Sequence, residues 1–414
     1  MPNLGSQSAS TPSPTAQGPA SFGMLALMTA MVAIGPVSTD LYLPSLPSIG
    51  GALAADASTV QLTLGVFMGG FAAGTLVYGP ISDRFGRRPT MLSGLVLFAA
   101  ASLCCALADT IGQLIAWRLV QGIAGAAAPI VSRAVVRDLY QREEAARIMS
   151  YMAGAMALAP SLAPVIGGWI HVAAGWRGHF WALTGGGLVL MLMAWRIIFE
   201  TNRHPDPRAL SAARLGRNIS HLYRHPTFTG FALTNGFSYG GLFSFISSGS
   251  FVLISGLGVA PQNFGFLFMC VAGSFVVGGL AGGRLSRRLG VVRLIGIGVL
   301  VGMAGGAAGL ALAIAGVTSV AAVIVPAAAV FFAFALVSPS STAGAVAPFP
   351  DMAGTAASAS GFTQMAIGAA IGTLAGALYD GTARPMFAVI LATTTMGAVA
   401  FYAKVRPHEA RDPR

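Results

Sequence analysis

Two ionisable side chains stand out because they lie inside long apolar stretches: Asp40 and Arg118. A carboxylate in hydrocarbon costs several kcal/mol, so such a group tends to hold a proton or to find a cation. Asp40 and Arg118 lie at similar depths below the outer ends of their stretches. At about 1.5 Å per residue these depths agree within roughly one helical turn, so the two are expected to meet or to share a cavity. The chemistry on offer is a site that takes up and releases a proton as cargo leaves and arrives. A structural alternative is a carboxylate capping a helix broken near Pro36, Pro44 and Pro47. Gln121, one turn beyond Arg118, is placed to hydrogen-bond the carboxylate or a cargo molecule. Tyr42, and the aromatics Phe237 and Tyr239 in the second half of the chain, are the further candidate cargo contacts.

The elements that must position these residues are helices in a membrane. Of 414 residues, 55% are hydrophobic and 9% charged, against about 25% charged in a soluble domain. With a window of ~19 residues the apolar runs divide into about twelve spans. They are 22–46, 58–80, 90–108, 112–135, 146–171, 176–199, 227–254, 262–283, 291–315, 318–343, 354–379 and 384–403. Residues 1–21, rich in Ser, Pro, Thr and Ala, read as a disordered tail. A hydrophilic linker occupies 200–226, and residues 404–414 form a second tail. Within the linker, Leu215, Ile219 and Leu222 recur at helical spacing among Arg214, Arg217 and Arg224. That pattern suits a basic amphipathic helix on the inner leaflet and, equally, an irregular solvated linker.

Charge sets the orientation. With the N-terminus inside, 21 of the 24 basic residues fall at cytoplasmic loops, helix ends or the C-terminal tail. Arg177 and Arg384 fall in outer loops, and Arg118 within a span. This is the positive-inside rule. The net charge of +11 therefore reflects topology and contact with membrane lipid rather than nucleic acid. Cys104, Cys105 and Cys270 read as small core residues without disulfide or metal spacing, and the six histidines lie in loops, tails or span ends. No metal, cofactor or phosphate loop is called for. The chain is expected to act as a monomer.

The link between the second and third spans reads Gly79-Pro80-Ile81-Ser82-Asp83-Arg84-Phe85-Gly86-Arg87-Arg88. Charges cannot sit in hydrocarbon, so a tight loop at the membrane surface is expected, with glycines at both ends allowing two helix ends to approach. The segment resembles the signature loop of the major facilitator superfamily, G-x-x-x-D-R-x-G-R-[RK]. Asp83 is expected to stabilise an inner gate by pairing with Arg87 or Arg88, or by facing the helix start near Gly354, while Arg87 has Asp138 as a second candidate partner. A shift of 204 residues aligns Gly65–Gly86 with Met269–Gly290, with eight of 22 positions identical. That argues for two six-helix halves, 22–199 and 227–403, of parallel topology. Arg118-Leu119-Val120-Gln121-Gly122 resembles the superfamily's R-x-x-Q-G motif, in which the Arg helps couple protons to transport. Pro160-Ser161-Leu162-Ala163-Pro164-Val165-Ile166-Gly167-Gly168 resembles its exporter motif, G-P-x-x-G-G, with Ala163 in place of one Gly. A proline frees a carbonyl and glycines permit close helix contact, which suits a hinge and seal.

The run Ser38-Thr39-Asp40-Leu41-Tyr42-Leu43-Pro44-Ser45-Leu46-Pro47, with Pro160 and Pro164, narrows the resemblance to the Bcr/CflA-type drug-resistance transporters. That resemblance implies an all-α, twelve-helix bacterial inner-membrane antiporter that exports amphipathic or neutral small molecules, chloramphenicol-like antibiotics among them, against inward proton flow. A proton-linked transporter of a physiological metabolite is the alternative within the same class. Enzyme and scaffold readings find no clustered nucleophiles, bases or metal ligands to support them.

Overall fold

The computed structural model describes residues 22–203, 205–207 and 209–407, without the side chains of 212–215. The N-terminal tail, His204, Arg208, the tail from His408, and the side chains of Arg214 and Leu215 lie outside these residues. The described fold is all-helical: α1 (Phe22–Asp40), α2 (Leu46–Ala52), α3 (Ala57–Phe85), α4 (Arg87–Ala106), α5 (Ile111–Gly125), α6 (Ala127–Leu139), α7 (Arg142–Ile197), α8 (Ala212–Arg224), α9 (Pro226–Ser250), α10 (Pro261–Leu289), α11 (Val291–Ile314), α12 (Val320–Val346), α13 (Ala353–Ala377) and α14 (Arg384–Ala400). Among the described residues, ten helical segments are long and apolar enough to cross a membrane. One of them, α7, turns at Gly175 (φ 67°, ψ −169°), between the two spans expected at 146–171 and 176–199. The helix α13, 25 residues long, is not among the ten. Outward-facing side chains are apolar, with Trp169 58%, Leu280 61% and Val325 66% exposed, which fits contact with lipid rather than water.

Helix starts at the end away from the arginines carry side-chain caps. Asp56 accepts from the Thr59 amide (2.7 Å), Thr110 from Gln113 and Ser319 from Ala322. The bonds from Thr59 and Ser58 hold the Asp56 carboxyl below the usual carboxylate range. At the basic end, the link after α3 is shorter than expected. The decapeptide is helical except at Gly86, where α3 ends and α4 begins. Gly86 needs a positive φ (103°), and so does its repeat partner Gly290 (76°). In both copies the glycine amide bonds back to a serine carbonyl, Ser82 or Ser286. Each serine hydroxyl in turn bonds a carbonyl three residues earlier. The internal repeat therefore extends to backbone geometry. Gly79, by contrast, sits within α3 with nothing near its missing Cβ, so no close approach requires it.

The helices α1–α7 pack together, as do α9–α14. The two sets meet along two seams, α3 against α13 and α7 against α10. Both seams are tight near the end away from the arginines. Gly65 faces Thr373, Gly376 packs on the Gln61 side chain, and Gly168 lies against the backbone of Pro261 and Gln262. Gln61 Oε1 accepts from the buried hydroxyls of Ser247 (2.8 Å) and Ser248 (3.1 Å). Gly167 lies directly against the Leu41 carbonyl, which seats the segment after Asp40 on α7. A methyl there would meet a backbone atom that cannot give. Gly167→Ala is therefore expected to cost about 1–3 kcal/mol and to lower the thermal midpoint in detergent. Gly185→Ala, at a helical site with open space, should leave the midpoint near or above wild type. Equal midpoints for the two variants would contradict this packing.

Candidate functional site

Between the two sets, about mid-height, lies a cavity of about 360 Å³. Its wall is apolar and aromatic, built from Phe67, Phe71, Phe243, Phe275, Phe331 and Phe334 with Met68, Met156 and Met365. Polar groups are few: Thr39 and Asp40 on α1, Tyr239 on α9, Ser338 on α12 and Gln364 on α13. The seams close it toward one end. Exposed Ala153, on the stretch of α7 that rises from the basic end, lies at its rim.

Asp40 is the last residue of α1, so the helix does break where the prolines suggested, yet the side chain still faces the cavity. It is 3% exposed, and among the described residues no Lys, Arg or His nitrogen lies within 4.0 Å of its carboxylate. Thr39 beside it spends its proton on the Gly35 carbonyl at 2.7 Å.

The expected meeting of Asp40 with Arg118 is not what the structure holds. Arg118 is fully buried outside the cavity wall. Its Nη1 donates to Gln121 Oε1 (2.7 Å) and to the Ser38 carbonyl (3.2 Å), and its Nε to the Thr63 carbonyl (3.5 Å). Its guanidinium is sandwiched between the rings of Phe67 (4.1 Å) and Tyr42 (4.5 Å). Phe67 is also cavity wall, so it stands between arginine and cavity. Tyr42 bonds Thr63, and Gln121 bonds Ser102, so both support Arg118 rather than line the cavity. Equal depth along two helices had suggested contact, but rotation about each axis turns the side chains to different places.

Of the two second-half aromatics, Tyr239 lines the cavity and Phe237 does not; Phe237 packs beside Gly397 of α14. The glycine stripe of α13 explains how the wall is seated. Gly368 receives the ring of Tyr239, and Gly372 receives that of Phe243. Pro160 contributes to the wall, and Pro164 abuts Gly265 of α10 without breaking α7. The three cysteines are free, but Cys270 is exposed rather than core. His179, one of the histidines read as lying in loops, tails or span ends, is buried, with Nε2 2.6 Å from the Ser45 hydroxyl.

At the basic end, Arg87 pairs with Asp83 (2.5 Å) and also with Asp138 (3.0 Å), so both expected partners are used at once. A Cβ at Gly354 would meet open space, and the Asp83 carboxylate bonds Arg87 within its own set of helices. Arg84 is exposed over Phe85. Arg88 reaches the Trp195 carbonyl. Glu200 carries no motif and was missed, yet it accepts the amides of Arg87 (2.9 Å) and Arg88 (3.1 Å) and so caps α4. The only hint in sequence is a helix start that lacks its own capping side chain.

Residues 24–373 match the Major Facilitator Superfamily. The chain is 31% identical over 369 residues to the Bicyclomycin resistance protein homolog of Haemophilus influenzae, covering 89% of this chain and 92% of that protein. It is 33% identical over 390 residues to the uncharacterized MFS-type transporter YdgK of Bacillus subtilis (91% and 94%). Multidrug resistance protein D of Escherichia coli is 28% identical over 347 residues (82% and 85%). A bacterial homolog of the human lysosomal transporter Spinster, solved inward-facing and unoccupied, superposes with a TM-score of 0.73 at 16% identity (93% of this chain, 97% of that one). A D-xylose–proton symporter gives 0.72 at 16% identity over the same shares.

The separation of Asp40 from Arg118 has a thermodynamic consequence. Stability losses of Asp40→Asn and Arg118→Met should couple in the double variant by no more than ~1 kcal/mol, through the Ser38 backbone, well short of the ~3–5 kcal/mol lost when a buried ion pair is broken. Thermal unfolding of the four proteins measures this, and a coupling well beyond that would restore a direct pair. Family match, relatives and apolar helices agree, and the chain belongs to the Major Facilitator Superfamily, among its Bcr/CflA-type drug-resistance transporters, as a multi-pass protein of the inner membrane.

Proposed function

We propose that this chain is a proton-driven antiporter that exports amphipathic or neutral small molecules, chloramphenicol-like drugs among them, by alternating access. The observation that carries the reading is Asp40: an acid with no countercharge within ion-pair distance among the described residues, in the wall of an otherwise apolar and aromatic cavity. A lone carboxylate there is most at ease neutral, so it has reason to take a proton from one side and to give it up when cargo arrives. The aromatic and methionine wall suits flat or flexible apolar cargo. Names of the relatives support drug export as the direction.

In this reading the spans number twelve, with α7 counted twice and α13 once, in two halves at 22–199 and 227–403 joined by the linker. Both termini lie in the cytoplasm by the positive-inside rule. The basic end is then inner, and the seams at Gln61 and Gly168 are the closed outer gate, so the cavity faces inward. Gly86, Arg84, Arg88 and the Asp83–Arg87–Asp138 cluster form the inner latch. When the halves rock, Asp83 turns from Arg87 toward the start of α13 and stabilises the outward-open form. Pro160, Pro164, Gly167 and Gly168 keep α7 close to α10 as hinge and seal. Arg118, with Tyr42 and Gln121, acts on Asp40 through the Ser38 backbone and the α1 break rather than by ion pairing.

Proteoliposomes with an imposed proton gradient test the proposal. Wild type should concentrate chloramphenicol against its gradient with counterflow of protons, and Asp40→Asn should lose uphill transport at least about tenfold while still binding drug. Uphill transport by Asp40→Asn at the wild-type level would end the assignment of Asp40 as proton carrier.

A further inference from the structure

The cavity has a second polar place, on α13, that no motif marks. Gln364 lines it from α13, and Asn235 of α9 holds Gln364 from behind, Nδ2 donating to Oε1 at 2.9 Å. Asn235 is 1% exposed, and its Oδ1 is buried without a hydrogen-bond partner. The pair forms one rung of a ladder between α9 and α13. Asn235 meets Gln364, and one turn on Tyr239 packs on Gly368. Phe243 then packs on Gly372, and Ser247 bonds the Gly372 carbonyl. The two rungs that follow place a ring or a hydroxyl on a glycine, whereas this one joins two carboxamides.

Two carboxamides can bond in two ways, because each carries a donor and an acceptor. With Asn235 donating, Gln364 keeps its two N–H donors for the cavity. If both amides turn over, Asn235 Oδ1 accepts from Gln364 Nε2, and Gln364 Oε1 faces the cavity as an acceptor. The turn satisfies the buried, unused Oδ1 but leaves Nδ2 unpaired in its place, so each arrangement leaves one Asn235 group without a partner, at a similar cost of about 1–3 kcal/mol. The two arrangements therefore lie close enough in energy for a ligand to select between them.

We propose that Gln364, anchored by Asn235, is the hydrogen-bonding contact for neutral cargo and presents either a donor or an acceptor according to what the cargo carries. Carbonyl-bearing and N–H- or O–H-bearing molecules are thus received at one position. A purely lipophilic cation has no use for it and depends on the aromatic wall and Asp40. This inference rests on the reading of the cavity as the cargo site.

Displacement of labelled tetraphenylphosphonium, a cation without hydrogen-bonding groups, from the detergent-solubilised protein tests it. One competitor is the dimethylamide of biphenylcarboxylic acid, an acceptor only, and the other is phenylindole, an N–H donor only. Gln364→Met should weaken both neutral probes about tenfold or more, while tetraphenylphosphonium stays within about twofold of wild type. The double variant Asn235→Leu with Gln364→Met leaves neither amide orphaned and should behave the same way, which covers misfolding of the single variant. Unchanged affinity for both neutral probes overturns the proposal. So does equal loss of all three ligands in both variants, which would make the pair a packing strut. Loss of one neutral probe alone overturns the two-way presentation and leaves a fixed amide. Wild-type protein that binds none of the three defeats the cargo-site reading itself, a result distinct from any of these.

Discussion

A buried carboxylate with no countercharge within ion-pair distance among the described residues is the constraint on which the rest of the arrangement depends. Asp40 ends α1 in the wall of an apolar cavity, and the fully buried guanidinium of Arg118 is engaged elsewhere. An ion pair would have fixed the charge of Asp40 and removed its reason to exchange protons. Instead Arg118 bonds two backbone carbonyls and a glutamine amide between two rings, and so it sets the local shape without neutralising the acid. In the proposed antiport, cargo, proton and conformation are then the three variables that determine the charge of Asp40.

Close backbone approach supplies the second requirement, a cavity that one end can seal. Small residues at Gly65, Gly167, Gly168 and Gly376 let helices of the two sets, and the chain after Asp40, touch where side chains would hold them apart. Further along α13 the same device works inward: Gly368 and Gly372 make room for the rings of Tyr239 and Phe243. One glycine-rich stripe on α13 thus serves both the seal, at Gly376, and the cavity wall, at Gly368 and Gly372. The amide pair Asn235–Gln364 continues the same face of α13 one turn before Gly368.

Much of this was legible in sequence because hydrocarbon punishes charge. Apolar runs and arginine placement gave the spans and the orientation to test, and the motif resemblances gave the family. The glycines of the repeated loop gave Gly86 and Gly290, where a positive φ leaves little choice of residue. The single acid in an apolar run pointed to Asp40. What sequence did not give depends on rotation and on distant partners. Nearly uniform hydrophobicity in α9 offers no periodicity to tell Tyr239 from Phe237, although two residues on a helix point roughly 200° apart. Asp40 and Arg118 matched in depth but not in facing. Glu200 capping α4, His179 on Ser45 and Asn235 holding Gln364 each join residues more than a hundred positions apart, beyond any local pattern.

The central claim is that Asp40 carries a proton that cargo displaces. Difference infrared spectroscopy of the reconstituted protein, read in the protonated-carboxyl stretch as drug is added, measures that step on the group itself. Loss of a carboxyl band on drug binding in wild type, with no such band in Asp40→Asn, is the expected result. Drug binding that leaves the band unchanged, or a band of equal size in Asp40→Asn, would contradict it.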